Sequence, residues 1–196
     1  MSETTATASD AGSRDWNRGQ VGMVSLILAE TSFFAVFLVA YLFYIGKSLA
    51  GPYPQDVLEF PLLATVCLLS SSFTVVWAVR RLERGQVSQF AGGLLVTVAL
   101  GGGFLAFTAA EWHRLLFEAG LTISTNLFGT TFYSLVGFHA AHVIIGLLLL
   151  TGVLLLALRG HVGAQHAERV ELLSWYWHFV DVVWIAVLTV VYVVGV

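Results

Sequence analysis

The sequence predicts an all-α membrane protein, a bundle of five transmembrane helices, and three observations carry that prediction. Hydrophobic residues make up 58% of the chain and charged residues only 11%, for a mean hydropathy of +0.85. A soluble domain of this length needs far more polar surface. The apolar residues fall in five long blocks rather than amphipathic stripes, each long enough to cross a hydrocarbon core of about 30 Å at about 1.5 Å per residue. A helix satisfies its own backbone groups in lipid, so the blocks are expected to be helical. The net charge of -3 carries little information, because most of the chain faces lipid rather than water.

The elements follow in order. Residues 1–20, rich in Ser, Thr, Ala and Asp, show no basic cluster ahead of a short apolar core, so they read as a disordered cytoplasmic tail rather than a signal peptide. A five-helix domain is expected over residues 21–196. Its first span covers about 21–45 and carries Glu30; the second covers about 58–79, with Pro61 near its start, where proline is tolerated. The third covers about 90–110 and turns polar at Glu111, Trp112, His113 and Arg114. The fourth, about 127–158, holds His139 and His142 and is long enough to tilt or to emerge from the bilayer. The fifth, about 172–194, holds His178 and Asp181.

Basic residues set the expected orientation. Arg14, Arg18, Arg80, Arg81, Arg84, Arg159 and Arg169 fall on one side and only Lys47 and Arg114 on the other. The rule that positive charge stays inside then puts the N-terminus in the cytoplasm and the C-terminus outside. The single cysteine, Cys67, excludes an internal disulfide and any two-thiolate metal centre, and is expected as a small core residue. Small residues recur within the spans at Ser70–Ser72, Gly92, Gly93, Gly101–Gly103, Gly137 and Gly146, where helices are expected to approach closely. Trp16, Tyr41, Tyr44, Trp77, Trp112, Trp175 and Trp177 lie near the span edges and read as interfacial anchors.

The chemistry rests on ionisable residues inside the spans. Counted along the helix from the inner boundary, Glu30 and Asp181 lie at a similar depth of about 15 Å, with His139 and His142 near the midplane. A carboxylate there costs at least about 2.5–3.5 kcal/mol, so it must be neutral, paired or wetted. Glu30 has no basic residue within a turn on its own helix. It fits proton transfer or a structural hydrogen bond equally well. His178 is three residues from Asp181, and His139 three from His142, so each pair shares a face. Glu30 with the three histidines would make a tolerable metal set, but that spacing is a weak signal and no metal is expected. His113, His161 and His166 belong to connections and are expected to be solvated.

The last span then meets a more specific pattern. Ser174-Trp175-Tyr176-Trp177-His178-Phe179-Val180-Asp181-Val182-Val183-Trp184 closely resembles the final-helix signature of haem-copper oxidase subunit III. Gly129-Thr130-Thr131-Phe132-Tyr133 and Gly137-Phe138-His139-Ala140-Ala141-His142-Val143-Ile144-Ile145-Gly146 resemble the adjacent motif. Gly22-Met23, Glu30 and Phe33-Phe34 are similar to the helix bearing that family's intramembrane glutamate. Together the matches cover the chain in order from Gly22 onward.

The resemblance implies a non-catalytic subunit of a respiratory terminal oxidase, cytochrome c oxidase being the expected type. The chain would carry no redox centre, the haem and copper residing in partner subunits. It would pack directly on subunit I, alongside subunit II and other subunits, stabilise the oxygen-reducing centre and assist proton uptake. Bound phospholipid is implied as well; nucleic acid is not a partner. By the same resemblance Glu30 is the family's buried carboxyl, and His139, His142, His178 and Asp181 match its polar positions. Arg159, by a looser match, and His166 and Glu171, which match positions leading into the final helix, are implied as candidate lipid-headgroup contacts. Longer members have seven helices and this chain is expected to lack the first two, as in bacterial five-helix forms, which points to a bacterial cell membrane. The alternatives are an accessory subunit of a quinol oxidase or nitric oxide reductase, an autonomous proton-coupled transporter, and a haem-binding membrane cytochrome. Against the transporter stands the lack of an inverted repeat or paired broken helices.

Overall fold

Residues 17–196 are described by the computed structural model, and all regular structure within them is helical. The order is α1 (Arg18–Tyr44), a single turn α2 (Pro54–Val57), α3 (Leu62–Glu83), α4 (Val87–Phe117), α5 (Leu127–Leu158) and α6 (Ala167–Leu188). A 3-10 turn (Ala164–His166) leads into α6, and a π-helical segment (Thr189–Val194) continues it. Five of these stretches are long and apolar enough to cross a membrane, the last being Ala164–Val194 as one unit. The five-span bundle matches the expected fold class, and the chain is a multi-pass membrane protein.

Local chemistry explains where the helices begin and stop. The Asn17 side chain accepts from the Gly19 N–H at 3.3 Å while Gln20 Oε1 accepts from the Asn17 N–H at 3.2 Å, a capping box that starts α1 at Arg18. The helix therefore begins inside the segment expected as tail; the rest of that tail, with Arg14 and Trp16, lies outside the described residues. Asn126 caps α5 by accepting from the Gly129 N–H at 2.8 Å. Its amide also donates to the carbonyls of Ala50 (2.9 Å) and Pro52 (3.0 Å), tying the loop after α1 to the head of α5. At the opposite face α3 and α5 both end in glycine. Gly85 (φ 72°) and Gly160 (φ 76°) adopt the left-handed conformation that lets the chain turn back on the last carbonyls.

Two expected boundaries move by five residues or more. The third span does not end at residue 110: α4 runs on to Phe117, so Glu111 to Arg114 are helical rather than part of a connection. Their polar groups are satisfied sideways. Tyr192 Oη donates to Glu111 at 3.1 Å, and Arg114 donates to the Val57 carbonyl at 2.9 Å and pairs with Glu59 at 3.3 Å. The final helix likewise starts at Ala167, five residues ahead of the expected 172.

The core forms where α6 meets α3, α4 and α5. Trp177 and Trp184 are almost fully buried there, with relative exposures of 0% and 1%. Trp177 thus belongs to the core and is not an interfacial anchor, because the earlier start of α6 places it about 15 Å along the helix. Tyr41 is also buried, and Trp112 is half-buried with its ring edge-on to Tyr133. The small residues make room for indole rings more than for backbone contact. A Cβ at Gly101 would meet Trp177 at 3.0 Å, one at Gly146 would meet it at 2.8 Å, and one at Gly93 would meet Trp77 at 2.7 Å. Gly92 and Gly102 have nothing within 4 Å.

Helix α1 stands apart. In its most apolar stretch only 6% of residues are buried, against 50% in the last span. Its inward stripe is Met23, Ile27, Glu30, Phe34, Phe37 or Leu38, and Tyr41, at helical spacing, with only Phe34 and Tyr41 fully buried. Glu30 sits on that stripe and is thereby aimed at the bundle.

Candidate functional site

The intramembrane polar residues do not form one group. They divide into two clusters on different helix pairs, with His139 between them.

The first cluster joins α1 to α5. Glu30 Oε2 lies 3.1 Å from His142 Nε2. His142 Nδ1 is 2.7 Å from the Phe138 carbonyl one turn earlier; a carbonyl only accepts, so Nδ1 carries a proton and donates. Nε2 is left to face Glu30, either accepting from a protonated carboxyl or, as imidazolium, donating to a carboxylate. Both forms carry one shared proton and no net charge, which resolves the cost of sinking Glu30 in hydrocarbon. Phe34 closes over the pair with its ring 4.9 Å from that of His142. The pair remains partly open: 14% of the His142 side chain and 27% of the Glu30 side chain stay accessible.

The second cluster joins α3 to α6. Ser174, His178 and Asp181 follow one another at helical spacing along α6, and Ser72 of α3 reaches between the last two. Its hydroxyl donates to Asp181 Oδ2 and lies 2.9 Å from His178 Nδ1. With its one proton given to Asp181, Ser72 accepts from Nδ1–H, which leaves Nε2 to accept from the Ser174 hydroxyl at 3.3 Å. His178 and Asp181 share a face of α6 as their spacing implies, and a serine from another helix bridges them. Asp181 is only 4% exposed, and its other oxygen, Oδ1, has no hydrogen-bond partner among the described residues. Two more bonds cross the same seam: Trp177 Nε1 donates to Ser71 at 2.9 Å and Trp184 Nε1 to Thr65 at 3.1 Å. The contacts climb one helix as they descend the other, so α3 and α6 run antiparallel.

His139 takes part in neither cluster. It is fully buried and stacks on Trp184, ring centroids 5.1 Å apart at 26°, with Phe104 edge-on at 5.8 Å. Although His139 and His142 share a face, one turns into the aromatic core and the other towards Glu30. Among the described residues no three His, Cys, Asp or Glu side chains come together as a metal-ligand set.

The model of the cytochrome c oxidase subunit III family matches residues 15–196, nearly the whole chain. The chain belongs to that family. The cytochrome c oxidase subunit 3 of Dugong dugon is 39% identical over 183 residues, covering 87% of this chain and 67% of that protein. The corresponding proteins of Lemur catta and Squalus acanthias are each 39% identical over 183 residues, with 64% and 67% of their lengths covered. The chain thus spans about two thirds of the length of these subunit III relatives.

In this subunit III family member, the remaining candidates lie towards the end of the bundle where α6 begins. Arg159 is exposed just past α5. His166 is half-buried, its Nδ1 accepting from the Gly163 N–H at 3.2 Å within its own turn. Glu171 borders a cleft of about 270 Å³ between α3 and α6, with Arg80, Glu83, Ser174 and His178. Ser72, Ser71 and Thr65 are the residues that sequence reasoning missed as site components. Serine and threonine in an apolar run read as packing, and only the presence of Trp and His on a second span hinted at hydrogen-bond partners.

Proposed function

We propose that this chain is the non-catalytic subunit III of a respiratory haem-copper terminal oxidase of the cytochrome c type. In this reading it is held in the membrane with its N-terminus in the cytoplasm, where it braces subunit I and assists proton uptake. The observation that carries the proposal is the Glu30–His142 contact. A carboxyl and an imidazole face each other at 3.1 Å, within hydrogen-bond distance, inside a membrane span and still partly accessible. Taking up one proton leaves a single positive charge on the pair, on an imidazolium hydrogen-bonded to Glu30 and to the Phe138 carbonyl. Family membership supports the oxidase setting, and relatives that are cytochrome c oxidase subunits favour cytochrome c over quinol as donor. The thinly packed α1, with Val36 and Val39 more than 60% exposed, leaves an apolar flank for lipid or a neighbouring subunit. Bound phospholipid has further support in an apolar groove of about 480 Å³ between α4 and α5, lined by Ala91, Leu95, Leu154 and Leu158.

Deletion of the chain tests this reading. The oxidase purified without it is expected to keep its haem spectrum, to take up protons more slowly and to lose activity progressively during turnover. An oxidase with unchanged proton uptake and lifetime would defeat the proposal, as would recovery of the chain from native membranes in no oxidase assembly.

A further inference from the structure

The α3–α6 seam contains an unbroken hydrogen-bonded line from an open cleft to a buried carboxyl. The cleft is lined along two helical turns by Val76, Val79, Arg80 and Glu83 on α3 and by Glu171, Ser174, Trp175 and His178 on α6. Its polar mouth therefore carries Arg80, Glu83 and Glu171, the charged groups facing the line from both elements that form it, and His178 is part of its wall. From His178 the bonds continue inward through Ser72 to Asp181.

We propose that Ser174, His178, Ser72 and Asp181 form a proton relay that loads one proton from the cleft onto Asp181. In the arrangement described, every donor points inward: Ser174 O–H to His178 Nε2, His178 Nδ1–H to Ser72 Oγ, Ser72 O–H to Asp181 Oδ2. A proton arriving from water in the cleft binds Nε2. Nδ1 passes its proton to Ser72 Oγ, and Ser72 passes its own to Asp181 Oδ2. One proton has entered and one resides on the carboxyl; Ser72 and neutral His178 are restored, the ring now protonated on Nε2. The bonds survive with their direction reversed, Asp181 donating to Ser72, Ser72 to Nδ1, and Nε2–H to Ser174. Release runs the steps backwards. Imidazole suits the central place because it can bind a proton at one nitrogen while giving one up at the other. The Glu30–His142 pair cannot do this, since the Phe138 carbonyl holds its Nδ1 proton.

The relay deepens the proton-handling part of the proposed function and rests on it for its purpose, though not for its test. Infrared difference spectra of the resting oxidase complex, titrated in H2O and exchanged into D2O, read it without electron transfer. The expected result is a protonated-carboxyl C=O band that changes with pH, is absent from Asp181→Asn, and shifts promptly on exchange into D2O. His178→Gln keeps a hydrogen-bonding side chain but cannot relay, and Ser72→Ala removes the bridge. Each is expected to slow the shift by about 100-fold, the lower end of what a positioned proton carrier contributes. Ser72→Thr should restore the wild-type rate. No pH-dependent carboxyl band assigned to Asp181, or unchanged exchange in either variant, would overturn the relay. Slow proton uptake during turnover is a separate observation: its absence would sink the proposed function and leave the relay in place.

Discussion

The two polar clusters hold similar groups in opposite settings. The α3–α6 seam is buried and cross-bonded at successive levels, with Thr65, Ser71 and Ser72 each meeting a partner on α6. The α1–α5 contact is a single pair at the rim, on a helix whose other side chains mostly face outward. In lipid, apolar surfaces gain nothing by leaving the solvent, so close packing and interhelical hydrogen bonds must hold helices together. The comparison teaches that polar contacts fasten two helices where they are numerous and enclosed, including those through which the proposed relay runs, and fasten little where they are solitary and partly open.

The largest expected effect comes from emptying the seam. Trp177→Ala removes a fully buried ring and its bond to Ser71, and should cost about 3–5 kcal/mol, read as a lowered thermal unfolding midpoint of the detergent-solubilised complex. A midpoint close to wild type would dissolve the contrast between the two regions. Filling the space made for the ring is expected to do less. Gly146→Val drives a side chain into Trp177 and should destabilise by about 1–3 kcal/mol in the same assay, whereas Gly102→Val, with open space around it, should be tolerated. Equal effects at the two glycines would contradict the packing described. Smaller again is Thr65→Val, which keeps the shape and deletes the bond to Trp184 together with the hydroxyl's bond to the Pro61 carbonyl; about 0.6 kcal/mol is expected for the interhelical bond, the average for such bonds within membranes.

The sequence revealed the spans because lipid demands about 20 consecutive apolar residues and little else supplies them. It was a poorer guide to their ends. Glu111 and Arg114 looked like the beginning of a loop, yet Tyr192, Val57 and Glu59 satisfy them from other parts of the chain. Facing was harder still. A membrane helix is apolar all round, so hydropathy does not reveal that Trp177 points inward; the small residues at Ser71, Gly101 and Gly146 held that information on three other helices. Glu30, His142, His178 and Asp181 were legible as intramembrane polar residues and by resemblance to the family. Their partition into two clusters was not, because it depends on which helix lies beside which. Ser72 shows the limit most plainly, since its role exists only once α3 and α6 are antiparallel neighbours.

Glu30→Gln should scarcely alter stability, because the amide can still donate to His142 while the shared proton is lost. The most direct test of the contrast follows from this: the oxidase carrying Glu30→Gln is assayed for its unfolding midpoint and for its loss of activity per turnover. An unchanged midpoint and intact haem spectrum with faster inactivation is the expected result. A lowered midpoint with undiminished turnover lifetime would mean that Glu30 is a fastening like those of the buried seam, and would contradict its assignment to proton exchange.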